Sequence, residues 1–335
     1  MGNIKIRASY TLQFATGTGS GPSSGYNLAN SGQPNLQMPM PLDFDQRHTF
    51  LLNIDYHYGA GEGNYDGPII KTHGGKRSDG YHNIESVFYP IGWCDALEAI
   101  PMDGYGKIEL HLSGIPVPGR TNNDNLCVKL YKLLLKKYKL PSLRVWLHKA
   151  IPIGAGLGGG SSDAAHFMKM LNEMCGLGLT TIEMKNYVAS LGSDCVFFIE
   201  NKPVLATSRG EVTEAIKLDL SSYFIAIVYP EIQVSTPFAY SLVTPAKCND
   251  SLKKGITSKG LAYWKDFVVN DFEKPLFVKH PLIEQVKNEL YTQGALYAAM
   301  TGSGSAVFGI FDKGINISPT FPAYKTWSGS LNVKQ

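Results

Sequence analysis

The sequence predicts a mixed α and β fold of about two domains, and three observations carry that expectation. The chain has 335 residues, against about 150 for an average domain. From residue 76 onward, strand-like runs alternate with helical ones, the pattern of an α/β or α+β protein. Apolar residues make up 44% and aromatics 11%, enough for a sizeable core and too many for general disorder.

The same composition excludes several classes of function. Lys and Arg total 31 and Asp and Glu 28, a net charge of +3, too weak to call for a nucleic-acid or membrane-surface partner. No run approaches the ~18 apolar residues of a spanning helix. Met1-Gly2-Asn3-Ile4-Lys5 leads into no apolar core of a secretory signal. The five cysteines (Cys94, Cys127, Cys175, Cys195, Cys248) include no CxxC pair and no local Cys/His cluster. A zinc site and a disulfide framework are therefore disfavoured, and reduced thiols in a cytoplasmic protein are expected.

Residues 1–70 differ from the rest. They hold 3 basic and 5 acidic residues, net −2, and are rich in Gly, Ser, Asn and Pro; residues 71–335 hold 28 and 23, net +5. Two stretches alternate strongly. In Ile4–Phe14 the even positions are Ile4, Ile6, Ala8, Tyr10, Leu12 and Phe14; in His48–Tyr58 they include Phe50, Leu52, Ile54, Tyr56 and Tyr58. A period of two predicts strands with one apolar face. Their length, their aromatic ends and the long polar loop between them match a hairpin of a membrane barrel better than an ordinary soluble hairpin. Two strands cannot close a barrel, so this segment is expected to be a foreign piece joined to an enzyme.

Beyond residue 76 the elements follow in order. Asn125–Tyr138 spaces Leu126, Leu130, Leu133 and Leu134 among lysines, which predicts an amphipathic helix. Ser142–Ala150 alternates as a strand, with Leu143, Val145 and Leu147 on one face. A glycine loop follows, then a helix over Ser161–Cys175 with Ala164, Ala165, Met168, Leu171 and Cys175 on one face. Glu183–Leu191 reads as a helix, Val196–Ile199 as a short apolar strand, and Phe224–Tyr229 as a buried strand. Leu282–Leu290 is helical, and Ala306–Phe311 is expected as the final strand.

Four stretches carry chemistry. The first, Pro152-Ile153-Gly154-Ala155-Gly156-Leu157-Gly158-Gly159-Gly160-Ser161-Ser162, lies between a strand and a helix. Its glycines let backbone amides approach an anion, and the unpaired, partly positive helix start that follows favours phosphate. Ser161 and Ser162 add hydroxyls, and either can cap the helix. No lysine follows the glycines, so it is not a Walker loop. A dinucleotide fingerprint forced on Gly154, Gly156 and Gly159 places its acid, Glu183, in a helical stretch rather than at a strand end. The second is Gly192-Ser193-Asp194, where Asp194 is placed to act as a base toward a hydroxyl. The third is the glycine loop Thr301-Gly302-Ser303-Gly304-Ser305, and the fourth is Asp79-Gly80-Tyr81-His82. There a turn presents Tyr81 and His82 for stacking and hydrogen bonding to a base.

In order and spacing these pieces resemble the GHMP kinase superfamily. Within it, Lys76–His82 standing before Glu85-Ser86-Val87-Phe88 is similar to the branch whose substrate is cytidine-diphosphate methylerythritol. Val234-Ser235-Thr236 adds to the match, which runs from about Lys76 to the C-terminus. The resemblance implies an α+β fold of two domains, an N-terminal one like ribosomal protein S5 domain 2 over residues 71–215 and a ferredoxin-like one over 216–335. It implies transfer of the γ-phosphate of ATP, with Mg2+, to the 2-hydroxyl of that substrate, in isoprenoid biosynthesis. Residues Pro152–Ser162 would then cradle ATP, Asp194 would take the proton, and Tyr81, His82, Thr236 and Tyr240 would hold the cytidine end. Residues 1–70 resemble instead the last strands of a TonB-dependent outer-membrane receptor, through Pro41-Leu42-Asp43-Phe44-Asp45-Gln46-Arg47-His48-Thr49-Phe50 and Asn53-Ile54-Asp55-Tyr56.

One feature of the family pattern is missing. Family members open with a strand of the type Ala-Lys-Ile-Asn-Leu, some fifteen residues before the tyrosine of Asp-Gly-Tyr-His, whose lysine touches the catalytic aspartate. Fifteen positions before Tyr81 stands Asp66, in Tyr65-Asp66-Gly67-Pro68-Ile69, and Lys71 and Lys76 are out of register. Asp194 is thus expected to lack its cationic partner. His48–Tyr58 and Pro68–Lys71 are the two segments available to refill the strand. Two other readings stand beside the kinase of this branch: another GHMP small-molecule kinase, and an inactive nucleotide-binding remnant.

Overall fold

A computed structural model describes the backbone of residues 50–55 together with residues 84–116, 122–243, 252–258, 260–266 and 268–332. The strand expected over Ile4–Phe14 lies outside them, as do Tyr81, His82 and Cys248.

The strands are β1 (Phe50–Asp55), β2 (Ile84–Ile91), β3 (Ala96–Tyr105), β4 (Ile108–Gly114), β5 (Pro141–Lys149), β6 (Val204–Ser208), β7 (Val212–Ala215), β8 (Phe224–Tyr229), β9 (Tyr297–Met300), β10 (Val307–Phe311) and β11 (Lys325–Ser330). The α-helices are α1 (Leu126–Leu135), α2 (Gly159–Met174), α3 (Thr181–Ala189), α4 (Cys195–Glu200), α5 (Thr236–Leu242), α6 (Leu252–Ser258), α7 (Glu273–Lys279) and α8 (Pro281–Thr292). Three sheets result, in the orders β1-β2-β6-β7, β3-β5-β4 and β11-β8-β10-β9. The architecture is α+β, as expected. Among the described residues, no helix is long and apolar enough to cross a membrane.

The strand β2 explains how the sheets share their cores. Val87, Tyr89 and Ile91 join one apolar cluster, and Phe88 on the other face joins a second. Burial on both faces is why its sequence, Ile-Glu-Ser-Val-Phe-Tyr-Pro-Ile, does not alternate. The first cluster continues into the third sheet through Ile225, Ile227, Phe308 and Ile310. Trp93 and Trp327 stack in the same region, with centroids 6.0 Å apart and planes 9° apart. The second cluster seats α1 and α2 on β5, with Leu130, Tyr131, Leu134, Ala164, Ala165, Phe167 and Met168 against Leu143, Val145 and Leu147. On the outer face of the third sheet, Ala226 and Val228 meet Ile283, Val286 and Leu290 of α8.

The expected helix over Asn125–Tyr138 forms as α1, with Asn125 capping it by accepting from the Cys127 amide at 2.8 Å. Helix α3 starts at Thr181 in a capping box between Thr180 and Glu183.

Three expectations are corrected. Val196–Ile199 is helical, not a strand: it lies within α4, where the Phe197 amide reaches the Asp194 carbonyl at 3.3 Å. All four of its residues are buried, and a short apolar run enclosed all round carries no periodicity to separate helix from strand. The helix after the glycine loop opens at Gly159 rather than Ser161, with Gly158 at its cap in the left-handed region (φ 69°). Neither serine caps it; Ser162 is buried, beside the His166 ring. Finally, β10 is followed by another strand, β11, which pairs antiparallel with β8. Its Lys-Thr-Trp-Ser-Gly-Ser sequence is half exposed and carries little apolar signal.

The segment that the sequence sets apart contributes to the first sheet. β1 pairs antiparallel with β2 from Phe50↔Ile91 to Asp55↔Ser86. Of the two segments available to refill the first strand, the one within His48–Tyr58 holds that edge; Pro68–Lys71 lies outside the described residues. Cys127 and Cys195 are buried, Cys94 and Cys175 partly so, all four as reduced cysteines.

Candidate active site

The glycine loop is built by alternation. Ala155 and Leu157 are each 1% exposed and anchor in the core between the first and third sheets. The glycines between and beside them, Gly154, Gly156 and Gly158, take φ values of 73°, 77° and 69°. Anchored side chains alternate with left-handed glycines, so the backbone itself forms the wall of a cleft. At Gly156 there is no room for anything larger: a Cβ would stand 2.3 Å from the Thr301 carbonyl oxygen. The loop runs into α2, a helix of 16 residues, whose first amides and positive end are oriented for an anion.

Both ends of the loop are tied down by charge. Lys149, the last residue of β5, is 5% exposed and donates to Asp163 Oδ2 of α2 at 2.7 Å, and also to Asp95. Asp95 Oδ1 accepts from the amides of Ala150 at 2.6 Å and Ile151 at 3.0 Å. Burial pushes the Asp163 carboxyl up to about 7 against the pull of Lys149. Burial alone would lower Lys149, but Asp163 and Asp95 hold it above its usual value. Sequence reasoning missed this cluster, because its members lie 54 and 14 positions apart and only the fold brings them together.

Asp194 stands at the start of α4, next to the β6–β7 turn. A Cβ on Gly210 would lie 3.2 Å from Asp194 Oδ1 and 3.6 Å from the Phe88 ring. Burial pushes its carboxyl up to about 6, and among the described residues no cation offsets the shift.

A cavity of about 490 Å³ joins these parts. Its wall includes residues 152–161 of the glycine loop, Gly192, Ser193 and Asp194, Thr236 and Tyr240 of α5, and Gly302, Ser303 and Gly304. Asn125, Lys149, Asp163 and Arg209 also line it. Thr236 Oγ1 and Ser303 Oγ are 3.3 Å apart, and the Tyr240 ring packs edge-on against Phe272 at 5.0 Å. Thr301 Oγ1 donates to the Gly156 carbonyl at 3.0 Å, joining the two glycine loops. The sequence-predicted residues therefore meet in one place, with four exceptions. Ser162 and Ser305 are fully buried and absent from the lining, and Tyr81 and His82 lie outside the described residues. Arg209, in the β6–β7 turn, carried no sequence signal beyond a lone arginine before a glycine.

Comparison with known proteins agrees with this geometry. Residues 125–201 match the family GHMP kinases N terminal domain, and residues 246–317 match GHMP kinases C terminal. A 4-diphosphocytidyl-2-C-methyl-D-erythritol kinase of Parabacteroides distasonis is 46% identical over 259 residues, 77% of this chain and 94% of that protein. One from Bacteroides fragilis is 48% identical over 237 residues, 70% of this chain and 86% of that protein. Among solved structures, a 4-(cytidine 5'-diphospho)-2C-methyl-D-erythritol kinase shares the fold with a TM-score of 0.66 at 24% identity, covering 84% of this chain and 97% of its own. A homoserine kinase of Cytophaga hutchinsonii superposes with a TM-score of 0.53 at 14% identity, over 87% of this chain and 97% of its own. With relatives this similar over almost their full length, and both halves of the kinase signature in place, the chain belongs to the 4-diphosphocytidyl-2-C-methyl-D-erythritol kinase family of GHMP kinases.

Proposed function

We propose that the chain transfers the γ-phosphate of ATP to the 2-hydroxyl of 4-diphosphocytidyl-2-C-methyl-D-erythritol, a step of non-mevalonate isoprenoid biosynthesis in the cytoplasm. The observation that carries this reading is the single cavity lined by the glycine loop, Asp194 and the α5 residues Thr236 and Tyr240. Backbone amides of the loop grip the triphosphate at the start of α2. Asp194, with a carboxyl poised near 6, is ionised at neutral pH and takes the hydroxyl proton as the phosphoryl group departs. Thr236 and Tyr240, with Tyr81 and His82, hold the cytidine end of the acceptor, and Gly302–Ser305 closes the phosphate side.

Magnesium would accompany the nucleotide. The hard oxygens on the cavity wall suit it: the Ser161 hydroxyl and the carboxylates of Asp163 and Asp194. Oδ1 of Asp163 is buried and has no hydrogen-bond partner, so it could serve the ion as an oxygen ligand. Bound there, the ion would offset charge on the transferred group.

The enzyme comprises residues 71–215 and 216–335, and residues 1–70 derive from a barrel receptor whose strand β1 now edges the first sheet. The test is release of ADP from Mg-ATP by the purified chain, with the cytidylyl alcohol set against homoserine and mevalonate. Faster turnover of an alcohol without cytidine would move the substrate assignment. A second reading, a nucleotide-binding remnant, draws on the absence of a cation beside Asp194 among the described residues; it predicts ATP binding with no turnover on any alcohol.

A further inference from the structure

We propose that Asn270 is a positioning residue for the nucleotide, acting through the second glycine loop on the first. Asn270 is fully buried behind the cavity wall. Both of its amide donations go to one loop: Nδ2 reaches the Met300 carbonyl at 2.8 Å and the Gly302 carbonyl at 2.7 Å. Its Oδ1 accepts from the Phe272 amide at 2.9 Å, fixing the side chain at the start of α7. Glu273 completes the clamp, with Oε1 accepting from the Met300 amide at 2.8 Å and Oε2 accepting from Lys287 at 2.6 Å. A buried asparagine whose donors and acceptor are all engaged fixes backbone position on three sides.

What the clamp holds is the surface that shapes the phosphate loop. Thr301 lies between the two carbonyls that Asn270 grips. Its hydroxyl donates to Gly156 O at 3.0 Å, and its own carbonyl fills the space a Gly156 side chain would need. The Ala306 amide donates to Ala155 O at 3.1 Å. The amide-bearing turn at Gly154–Gly158 is thus backed by a loop from a different sheet, and that loop is held by Asn270. A shift of the clamp moves the amides that meet the phosphates and leaves Asp194, on α4, where it is.

The kinetic arm of the test rests on the kinase reading. Asn270→Asp keeps the shape and the cap to Phe272 but turns two donors into acceptors facing carbonyls. Asn270→Ser, which keeps a hydroxyl near the cap and loses the reach, is the second variant should the first fail to fold. In whichever variant folds, the KM for ATP should rise about tenfold or more, while the KM for the cytidylyl alcohol moves less than about twofold. Mere loss of folded protein would lower kcat and leave both KM values alone. Thr301→Val should shift the ATP KM in the same direction, and the double variant should fall short of the sum of the two effects. Amide hydrogen exchange at residues 154–160 should quicken in the Asn270 variant. Should the parent chain bind ADP without turnover, the kinase reading fails and the ADP dissociation constant replaces the ATP KM. An unchanged nucleotide affinity, an equal rise in both KM values, unchanged exchange at 154–160, or a parent that binds no ADP overturns the proposal.

Discussion

Lys149 Nζ lies 2.7 Å from Asp163 Oδ2, a contact that draws the strand entering the phosphate loop and the helix leaving it onto one ammonium group. The same group also meets Asp95, and all three side chains are almost fully buried. Two carboxylates share one lysine, so the cluster depends on that cation. Lys149→Met leaves two buried acids facing each other and should cost about 3–5 kcal/mol, the usual penalty for removing one partner of a buried pair. Asp163→Asn retains an oxygen for Lys149 and removes the excess negative charge, so it should cost much less. Urea denaturation of both variants measures the difference; a Lys149→Met protein as stable as the parent would contradict this account.

The elevated carboxyl of Asp194 sets the pH behaviour. As the base it must be ionised, so turnover should climb with pH through about 6 and level off above 7. Asp194→Asn should lower kcat by about 10²–10⁴ and abolish that limb. The effect on stability has the opposite sign. A carboxyl raised in the folded state contributes stability that is complete below its unfolded value, near 4, and is lost as pH climbs through 6. At pH 8, then, Asp194→Asn should be at least as stable as the parent while being far slower. Thermal unfolding at pH 5 and pH 8 checks the sign.

Much of this site was legible in the sequence because its parts are contiguous. Five glycines within Gly154–Gly160 signal a backbone wall, and Gly-Ser-Asp before an apolar run signals an acid at an element boundary, whichever element follows. The run Val196–Ile199 misled because burial on every side erases the difference between periods of 2 and 3.6. The cluster of Lys149, Asp95 and Asp163, and the grip of Asn270 on Met300 and Gly302, were hidden for another reason. Their meaning lies in partners distant in the chain: 54 and 14 positions separate Lys149 from Asp95 and Asp163, and 30 separate Asn270 from Met300.

Gly156 tests the contact between the two glycine loops directly. Its φ of 77° and the 2.3 Å approach of the Thr301 carbonyl exclude a side chain on both conformational and steric grounds. Gly156→Ala must push the loops apart by a substantial part of an ångström. Displacement on that scale at a phosphate site should cost about 10²-fold in kcat/KM for ATP. Gly154→Ala shares the positive φ, but a Cβ there meets nothing within 4 Å, so it should show the smaller loss of the two. Steady-state kinetics on the pair separates steric approach from backbone strain.

The sequence carries no lysine in the family register before Tyr81, and β1 indicates where one would be placed. Strand β1 pairs Asn53 with Phe88 and Leu51 with Pro90, and the Phe88 ring borders the same Gly210 position as Asp194 Oδ1. Laying Phe50-Leu51-Leu52-Asn53-Ile54 on the family pattern Ala-Lys-Ile-Asn-Leu brings Asn53 onto the pattern's asparagine and Leu51 onto its lysine. Leu51→Lys should therefore place a cation toward Asp194. An ammonium within a few ångströms lowers a carboxylate by about 1 unit or more, so the acidic limb of the pH profile should move down by that amount and turnover at pH 5 should rise about fivefold, with little change at pH 7. Leu52→Lys, one residue along the strand and so on the other pleat, is the control and should do neither. Identical profiles for Leu51→Lys and the parent would show that β1 edges the sheet without occupying the functional register of the strand it replaces.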